Sequence, residues 1–481
     1  MRRAFGIAIA SFLLGAGLPA TNAAQEEPDL ILHDGIVLTL DPDHTVATAV
    51  AVAGWAIAAV GSESDILALA GPSTTVVDLD GLAVLPGFID SHAHWIGDRD
   101  LYGVSSAQEA IQMALEGGWT SLNELFVNQQ RLDELIALDA AGELRVRVNA
   151  YLPVNYGPDQ RFGMWFSAYT PGEQLGPRLR LAGVKFFIDA CGPDTMYLSE
   201  PRENGDRGRF HWRRRELRRL VRRVHEAGWQ IAAHACGDGA VDEIVDALAR
   251  AFDGERGRPS RARIEHLIAL RDDQIKRLRR LGILPSFQLT FVDSAWAEDY
   301  RSFPRDRRDL LGRWRDLASD PRLHAIGSTD SPYGEGADLQ PTSVMEALVQ
   351  ATTRIGEPGD RAPRWMRKQR LTLMQALHLL TGGGAYGVFA EDELGAIAPG
   401  MLADLVVLSE DPREVPRVEL ERITVAMVFV GGALEVCAAG YEAVCPLPAG
   451  PAMRSWWPRN RASERPAPSD RPSAALVLGR P

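Results

Sequence analysis

The hydrophobic and polar positions of the chain follow three successive patterns. From residue 29 to residue 84, short apolar runs separated by Asp-Gly and Gly turns predict a series of β-strands. From residue 86 to about residue 384, short apolar runs alternate with amphipathic segments, which is typical of a parallel sheet with crossover helices. After residue 395, apolar runs return at residues 403–408, 423–429 and 433–436. The pattern therefore predicts an α/β barrel with strands on both sides of it in the chain.

The middle pattern predicts individual elements. Candidate barrel strands are residues 146–152, 183–188, 230–234, 262–266 and 324–327. Residues 212–227 predict a helix, because Leu217, Leu220, Val221 and Val224 recur at helical spacing and form one apolar stripe. Arginine fills most of the other positions of this helix, and we interpret that basic run as a solvated outer face rather than a nucleic-acid site.

The two ends of the chain predict an export signal and a tail. Arg2 and Arg3 precede an apolar run that reaches Leu18, and Thr21 and Ala23 are small residues suited to cleavage. The run is shorter than the roughly 20 residues of a spanning helix, which disfavours an uncleaved anchor. We expect a periplasmic or secreted protein, with Sec and twin-arginine export both open. The tail is rich in Pro, Arg and Ser and is expected to be disordered.

The predicted fold class is α/β, a TIM-like (β/α)8 barrel with a small β-sandwich built from both termini. The predicted domains are residues 1–23, a signal peptide; 24–85, the N-terminal part of the sandwich; 86–385, the barrel; 386–445, the C-terminal part of the sandwich; and 446–481, the tail.

Composition narrows the function classes. The 52 Lys and Arg residues against 64 Asp and Glu give a net charge of −12, which argues against nucleic acid as a partner. Hydrophobic residues at 46% and charged residues at 24% exclude wholesale disorder. Four cysteines exclude a disulfide-dense scaffold. A bridge between Cys437 and Cys445 is left open, since it depends on an oxidising compartment.

Polar side chains stand where short apolar runs end. His92 and His94 close one run, and residues i and i+2 of a strand point to the same side, so their imidazoles can face one cation. His234, His266 and Asp330 each end or follow another run. A single such histidine is more often a core residue. Barrel enzymes, however, carry their chemistry at the carboxyl ends of the strands, so the recurrence indicates a metal site.

Lysine usage singles out one further position. The chain has three lysines, at positions 185, 276 and 368, and arginine supplies nearly every other cation. Lys185 lies within the apolar run Val184 to Ile188, which predicts a buried strand. A buried lysine shifts its pKa readily, whereas arginine keeps its proton. This position therefore indicates a need for an amine that can lose its proton, with a salt-bridged core lysine as the alternative.

Six motifs in order resemble the amidohydrolase superfamily, and within it amidohydrolase family 3, the branch that includes N-substituted formamide deformylase. They are Pro86-Gly87-Phe88-Ile89-Asp90-Ser91-His92-Ala93-His94, Val184-Lys185, His234-Ala235-x-Gly237-Asp238, Ile264-Glu265-His266, Ser328-Thr329-Asp330 and Gly400-Met401-Leu402-Ala403-Asp404-Leu405-Val406-Val407-Leu408. The resemblance runs from about residue 29 to residue 436.

The resemblance implies a site with two divalent metal ions, with zinc as the expected element. His92, His94 and Asp330 would bind one ion, His234 and His266 the other. Lys185, carboxylated by CO₂, would bridge the two ions through its carbamate. The ions would turn a bridging water into hydroxide near neutral pH. Asp330 would act as general base and then as general acid.

The chain departs from the family pattern in two places. The usual Asp-Gly after the lysine strand is replaced by Asp189-Ala190-Cys191, and the insertion that normally follows the His-x-His motif is short. Weaker candidates surround the site: Asp238, Trp95 and Tyr333 for substrate binding, and Cys191 and Cys236 as residues near the metal. Asp238 is equally well explained as an acid at a helix N-terminus.

The leading functional hypothesis is an exported amidohydrolase that hydrolyses a non-peptide C–N bond in an amide, N-acyl amine or N-formyl amine. We expect a small-molecule substrate as its partner. We expect no stable membrane anchor once the signal peptide is cleaved, and we leave a homo-oligomer open. One alternative is a mononuclear deaminase-like site using His92, His94, His234 and Asp330, although Asp238 stands near the position where such deaminases carry a Glu. Another alternative is a non-catalytic exported binding protein. Such a protein would be expected to lack at least one of the six metal-binding residues, and all six are present in this chain.

Overall fold

The computed structural model describes residues 27–252, 260–291, 303–333, 339–356 and 359–446. The predicted signal peptide and residues 447–481 of the predicted tail lie outside these ranges. The described strands form an eight-stranded sheet, a six-stranded sheet, a four-stranded sheet and a two-stranded ribbon.

Strands from both ends of the chain build the sandwich. The N-terminal strands are β1 Leu30–His33, β2 Ile36–Leu38, β3 Val46–Ala47, β4 Ala49–Ala53, β5 Ala56–Gly61, β6 Thr75–Asp78 and β7 Ala83–Pro86. The C-terminal strands are β18 Leu405–Leu408, β19 Val425–Val430 and β20 Ala433–Cys437. The four-stranded sheet has the order β5-β4-β1-β6, and the six-stranded sheet has the order β20-β19-β18-β7-β2-β3. The antiparallel pairing of β7 with β18 joins the two ends in one sheet.

Alternation along the strands explains how the layers pack. Leu405 and Val407 of β18 share a buried cluster with Leu30 and Leu32 of β1, so the two sheets face each other. The intervening Val406 belongs instead to the core of the barrel. The six-stranded sheet therefore packs against the four-stranded sheet with one face and against the barrel with the other, since strand residues alternate in direction.

Eight parallel strands form the barrel. They are β8 Phe88–Ala93, β9 Trp119–Glu124, β10 Arg147–Pro153, β13 Leu179–Phe187, β14 Gln230–Ala235, β15 Arg263–His266, β16 Leu284–Gln288 and β17 Ile326–Ser328, paired in that order. The ribbon consists of β11 Asn155–Tyr156 and β12 Gln160–Arg161. The first and last barrel strands meet where the Asp330 amide donates to the His92 carbonyl at 2.8 Å and the His94 amide donates to the Ser331 carbonyl at 2.9 Å. The predicted TIM-like barrel with a sandwich from both termini is confirmed.

Helices cover the outside of the barrel, and one short helix, Glu63–Leu67, packs against the four-stranded sheet of the sandwich. The described α-helices are Glu63–Leu67, Ala107–Glu116, Gln129–Ala140, Arg214–Glu226, Asp238–Ala251, Asp272–Leu281, Trp314–Ala318, Val344–Thr353, Arg364–Arg367, Leu373–Leu379 and Gly382–Gly387. The 3-10 helices are Arg99–Tyr102, Trp165–Ala168, Arg305–Leu310, Pro321–Leu323 and Arg417–Arg422. No helix among the described residues is both long enough and apolar enough to cross a bilayer.

The arginine-rich helix Arg214–Glu226 matches the prediction made from its stripe. Leu217, Val221 and Val224 are buried against the barrel, and Leu220 is half-buried. Most of its arginines are exposed, as a solvated face requires.

The sandwich and the barrel join at Gly87, between β7 and β8. A Cβ atom at this position would lie 2.3 Å from Thr120 Oγ1 and 3.0 Å from Asp404 Cβ. Only glycine therefore allows the first barrel strand to start this close to the C-terminal sheet. From this point β8 leads to His92, within the strand, and to His94, just beyond it.

Candidate metal centre

The structure brings the six predicted ligands together at the carboxyl ends of the barrel strands. His92 lies in β8 with His94 just beyond it, Lys185 lies in β13, His234 in β14 and His266 ends β15; Asp330 follows β17 by two residues. Five of the six are buried, and the side chain of His234 is 13% exposed. Parallel strands end on one face of the barrel, which is why residues far apart in the chain converge there.

One half of the site is built around Asp330. Its Oδ1 lies 3.2 Å from His92 Nε2 and 3.2 Å from His94 Nε2, and its Oδ2 lies 4.0 Å from His266 Nδ1. The Nζ atom of Lys185 lies 3.3 Å from His92 Nε2. Imidazole nitrogens, a carboxylate and an amine therefore face a common point.

The other half is built around His234 and His266, whose ring centroids are 4.3 Å apart. The His266 ring is also 4.9 Å from the His92 ring, so it lies between the two halves. Donor atoms of His92, His266 and Asp330 lie within 4.8 Å of one another, and so do those of His266, His234, Cys191 and Cys236.

Three of the four predicted histidine ligands have protonation states that suit a metal, whereas Asp330 raises the pKa of the fourth, His94, against the effect of burial. Burial, followed by Lys185 and the neighbouring histidines, holds the pKa of His92, His234 and His266 well below the usual value for histidine. Their imidazoles are therefore neutral at physiological pH, which is the form that binds metals. Both ring nitrogens of the buried His266 lack a hydrogen-bond partner among the described residues. Buried polar atoms are normally paired, so this donor fits a ligand for a cation.

Lys185 has no exposed surface, and its burial lowers the pKa of the amine to about 8. A larger share of the side chain is then the neutral amine, which is the form that adds CO₂. The position of its Nζ beside His92 is also the position that a bridging group requires.

Residues that the sequence did not single out support the ligands. Glu265 Oε2 lies 2.9 Å from His92 Nδ1, and Arg263 donates to both Glu265 oxygens, at 2.5 and 2.9 Å. Arg263 also donates to the Ser91 carbonyl at 2.6 Å. Burial alone would raise the pKa of Glu265, but Arg263 lowers it on balance, so the carboxylate is ionised. The sequence signal was present: Arg263 and Glu265 are two charges at strand spacing within the short strand that ends at His266.

Asp189 fixes the loop after β14. Its Oδ1 accepts from the Cys236 amide at 2.9 Å, and its Oδ2 accepts from the amides of Gly237 and Tyr197, each at 2.9 Å. The same Oδ1 lies 3.9 Å from His234 Nε2. Asp189 corresponds to the Asp of the family's Asp-Gly pair. The acid is therefore retained in this chain, and the glycine after it is replaced by Ala190.

The weaker candidates lie in different surroundings. The Asp238 carboxylate accepts from the Ser199 backbone at 3.0 Å and from Arg271 at 2.6 Å, so its contacts are with neighbouring elements. Trp95 is buried, and its indole donates to Asp90 at 3.3 Å. Tyr333 packs edge-on to the His94 ring at 5.4 Å and donates to Asp98 at 2.9 Å. Of these three candidates, Tyr333 is the one in ring contact with a predicted ligand.

The four cysteines are paired as Cys191 with Cys236 and Cys437 with Cys445. The second pair is the bridge that the sequence left open. The first pair lies beside His234, where the sequence placed both cysteines.

Comparison with known proteins agrees with this geometry. The family model described as amidohydrolase family matches residues 116–434. N-substituted formamide deformylase of Arthrobacter pascens is 42% identical over 548 aligned residues, which cover 84% of this chain and 98% of that protein. YtcJ of Bacillus subtilis is 29% identical over 265 residues, covering 53% of this chain and about half, 47%, of that relative.

Solved structures show the same fold. An uncharacterized metal-dependent hydrolase of Pyrococcus horikoshii OT3 aligns with a TM-score of 0.68 at 23% identity, covering 81% of this chain and 99% of that chain. Molinate hydrolase aligns with a TM-score of 0.57 at 17% identity, covering 91% of this chain and all of that chain (100%). With the family match and the buried donor set on the barrel's carboxyl face, the chain belongs to the amidohydrolase family and is a metal-dependent hydrolase of carbon–nitrogen bonds other than peptide bonds.

Proposed function

We propose that the protein is an exported binuclear hydrolase that cleaves the C–N bond of an amide, N-acyl amine or N-formyl amine. The observation that carries the proposal is the convergence of six donors, five of them buried, from five barrel strands, around His92 and His266. The deformylase relative supports a small N-substituted amide as the substrate class.

Two divalent ions, with zinc expected from the imidazole and oxygen donors, would be held by the six residues. His92, His94 and Asp330 would bind the first ion, and His234 and His266 the second, with the carbamate of Lys185 between them. When bound, such ions lower the pKa of water to near neutrality and polarise the carbonyl of the substrate.

The surroundings of Asp330 support a role for it in proton transfer. Burial raises the pKa of this carboxyl above its ordinary value, with His94 opposing the shift. A raised pKa makes a carboxylate a stronger base, so it accepts a proton more readily than an ordinary aspartate does. We therefore assign Asp330 the transfer of a proton from the attacking water to the departing amine.

The mononuclear alternative would use His92, His94, His234 and Asp330. That set leaves out His266, whose donor atoms lie within 4.8 Å of those of His92 and Asp330 and also within 4.8 Å of that of His234. A buried donor shared by both halves of the site supports the binuclear arrangement.

The deciding measurement is metal content by elemental analysis of protein purified without chelator. We expect about two equivalents of zinc per chain in the wild type and a clear loss in Lys185→Ala. The matched control is Lys276→Ala, which changes an exposed lysine on the helix Asp272–Leu281 and should keep both equivalents. One equivalent that is indifferent to Lys185 would overturn the binuclear assignment. A carbamate signal from Lys185 after growth on labelled bicarbonate would test the bridge directly.

The substrate class is tested with a matched series in which one amine carries a formyl, acetyl or longer acyl group. We expect release of the free amine and of the corresponding acid. Turnover restricted to compounds without an amide-type C–N bond would overturn the proposed reaction.

Export rests on the N-terminal segment, with Arg2, Arg3 and the apolar run that follows. Sequencing of the mature N-terminus should find residue 24 first. A mature protein that retains residues 1–23 would overturn this part of the proposal.

A further inference from the structure

Two cysteines converge on a predicted metal ligand. Cys191 lies beyond the end of β13 and Cys236 lies directly after β14, so two neighbouring strands deliver them to the same place. Their Sγ atoms lie 3.6 and 3.4 Å from His234 Nε2. Nothing in the amidohydrolase reaction proposed above uses a sulfur atom.

These distances match those of a zinc site. With Zn–S bonds of about 2.3 Å and Zn–N bonds of about 2.0 Å, a sulfur and a nitrogen on one tetrahedral zinc lie about 3.5 Å apart. Both distances to His234 in the structure fall within about 0.1 Å of that value. Each sulfur, taken singly, therefore lies at the distance from His234 that a thiolate ligand of the same ion would have, and reduction of the disulfide lets the two sulfurs move apart to separate ligand positions.

His266 supplies the fourth donor. Its imidazole is 3% exposed, and neither ring nitrogen has a hydrogen-bond partner among the described residues. The donor atoms of Cys191, His234, Cys236 and His266 all lie within 4.8 Å of one another. Two thiolates and two imidazoles form one of the common closed sets for structural zinc.

We propose that reduced Cys191 and Cys236 complete, with His234 and His266, a closed four-ligand site for zinc, whereas their disulfide leaves the two histidines to the second catalytic ion. The inference rests on the assignment of both histidines to the second ion in the proposed function. The oxidation state of this cysteine pair would then switch catalytic activity on or off. A closed zinc site lacks the open coordination position that catalysis needs.

The chemistry balances with a phosphine as the reductant. The disulfide accepts two electrons and becomes two thiols, and the phosphine becomes a phosphine oxide with its oxygen and the two protons taken from water. Binding of the divalent ion then releases the two thiol protons to solvent. Asp189 holds the backbone of Cys236 and Gly237 through two amides, which keeps this sulfur close to His234 after the disulfide opens.

Cobalt(II) is the probe, because thiolate ligands give it an intense near-ultraviolet charge-transfer band that imidazole and carboxylate do not give. Metal-free full-length protein is titrated with cobalt(II) with and without a phosphine. We expect the band in the reduced wild type and its absence in the oxidised wild type. In Cys191→Ser/Cys236→Ser the band should be lost. The apparent affinity for cobalt(II) should also fall by about 100-fold or more relative to the reduced wild type, because loss of a residue that only supports a ligand already costs about 10–100-fold.

The matched control is Cys437→Ser/Cys445→Ser, which removes the other disulfide and should keep the band on reduction. A reduced wild type without the band, or a Cys191→Ser/Cys236→Ser protein that retains it, would overturn the inference. A second measurement needs no variant: zinc should protect Cys191 and Cys236 of the reduced wild type from alkylation, as counted by peptide mass spectrometry. Equal alkylation with and without zinc would also overturn it.

The two proposals fail differently. If the binuclear assignment is wrong, Lys185→Ala will hold as much zinc as the wild type, whatever the state of the cysteines. If only the cysteine inference is wrong, Lys185→Ala will still lose zinc, but the reduced wild type will show neither the thiolate band nor protection from alkylation.

Discussion

His92 is held from both sides of its ring: Nδ1 lies 2.9 Å from Glu265 Oε2, and Nε2 lies 3.2 Å from Asp330 Oδ1. Because Glu265 is ionised, Nδ1 carries the proton and donates it to Glu265. The Nε2 lone pair is then directed toward Asp330 and Lys185, where the metal is proposed. A carboxylate behind a ligating histidine fixes its tautomer and raises its basicity.

We therefore expect Glu265→Gln to weaken zinc binding by about 10–100-fold, the usual cost of losing such a supporting carboxylate. Measurement is by competition with a chromophoric chelator at fixed pH. Glu414→Gln, at an exposed glutamate, is the control and should bind zinc like the wild type. Equal affinity in all three proteins would show that Glu265 does not support His92.

Asp330→Asn should lower kcat by about 10²–10⁴-fold, because it removes the group assigned to carry the proton. Asp330 has a φ of 62°, a left-handed conformation that asparagine tolerates better than most residues, so the variant should fold. Activity is compared at matched metal content, with Asp309→Asn at an exposed position as the control. A variant with wild-type kcat would remove Asp330 from the proton transfer.

Much of the fold was predictable because strand and helix periodicities are local signals. The run around Lys185 predicted a buried strand, and β13 is that strand. Strand patterns return after the barrel, and this predicted that the two ends of the chain share a sheet. The pairing of Val406 in β18 with Leu85 in β7 confirms that prediction.

The site was predictable only where chemistry marks the sequence. The His92 and His94 spacing and the rare lysine were visible, whereas the support of His92 by Glu265 joins residues 173 positions apart. Such a contact exists only once the barrel closes. Asp238 illustrates the reverse: it follows His234 closely in the chain, but its carboxylate contacts Arg271, the residue just before the helix Asp272–Leu281.

The pH dependence of stability should carry a contribution from His211, which is 8% exposed. Burial, followed by Arg209 and Arg161, lowers the pKa of His211 to about 4. The unfolded chain takes up this proton near the ordinary value of 6.5, and the folded chain takes it up only near 4. The stability contribution is therefore present above pH 6.5 and is lost as pH falls toward 4. It amounts to at most about 3 kcal/mol.

His211→Gln should remove this contribution, so that its free energy of unfolding falls less than that of the wild type between pH 7 and pH 4. Urea unfolding at a series of pH values measures the difference. His44→Asn serves as the control, because His44 is exposed and its φ of 52° suits asparagine. Identical pH slopes for His211→Gln and the wild type would contradict the prediction.

The ion pair of Arg147 with Asp404 connects the barrel to the sandwich. Arg147 of β10 donates to both Asp404 oxygens, at 2.7 and 2.8 Å, and the Gly431 amide donates to Asp404 at 2.7 Å. The Asp404 side chain is 2% exposed. Removing one member of a buried pair leaves the other charge uncompensated and costs about 3–5 kcal/mol. The Ala403-Asp404-Leu405 motif lies far in sequence from the proposed catalytic groups. Its aspartate has a structural role instead, because it contacts the barrel through Arg147.

Asp404→Asn should therefore lower the free energy of unfolding by several kcal/mol while kcat of the folded protein at 25 °C stays near the wild-type value. Glu226→Gln, which breaks the exposed pair of Arg222 with Glu226, is the control and should change stability by less than about 1 kcal/mol. Thermal unfolding and activity are measured on the same samples. A stable Asp404→Asn protein would show that the two layers are coupled mainly through the apolar face of the six-stranded sheet. Loss of kcat at unchanged stability would instead place Asp404 in the support of the metal site, which its contacts do not predict.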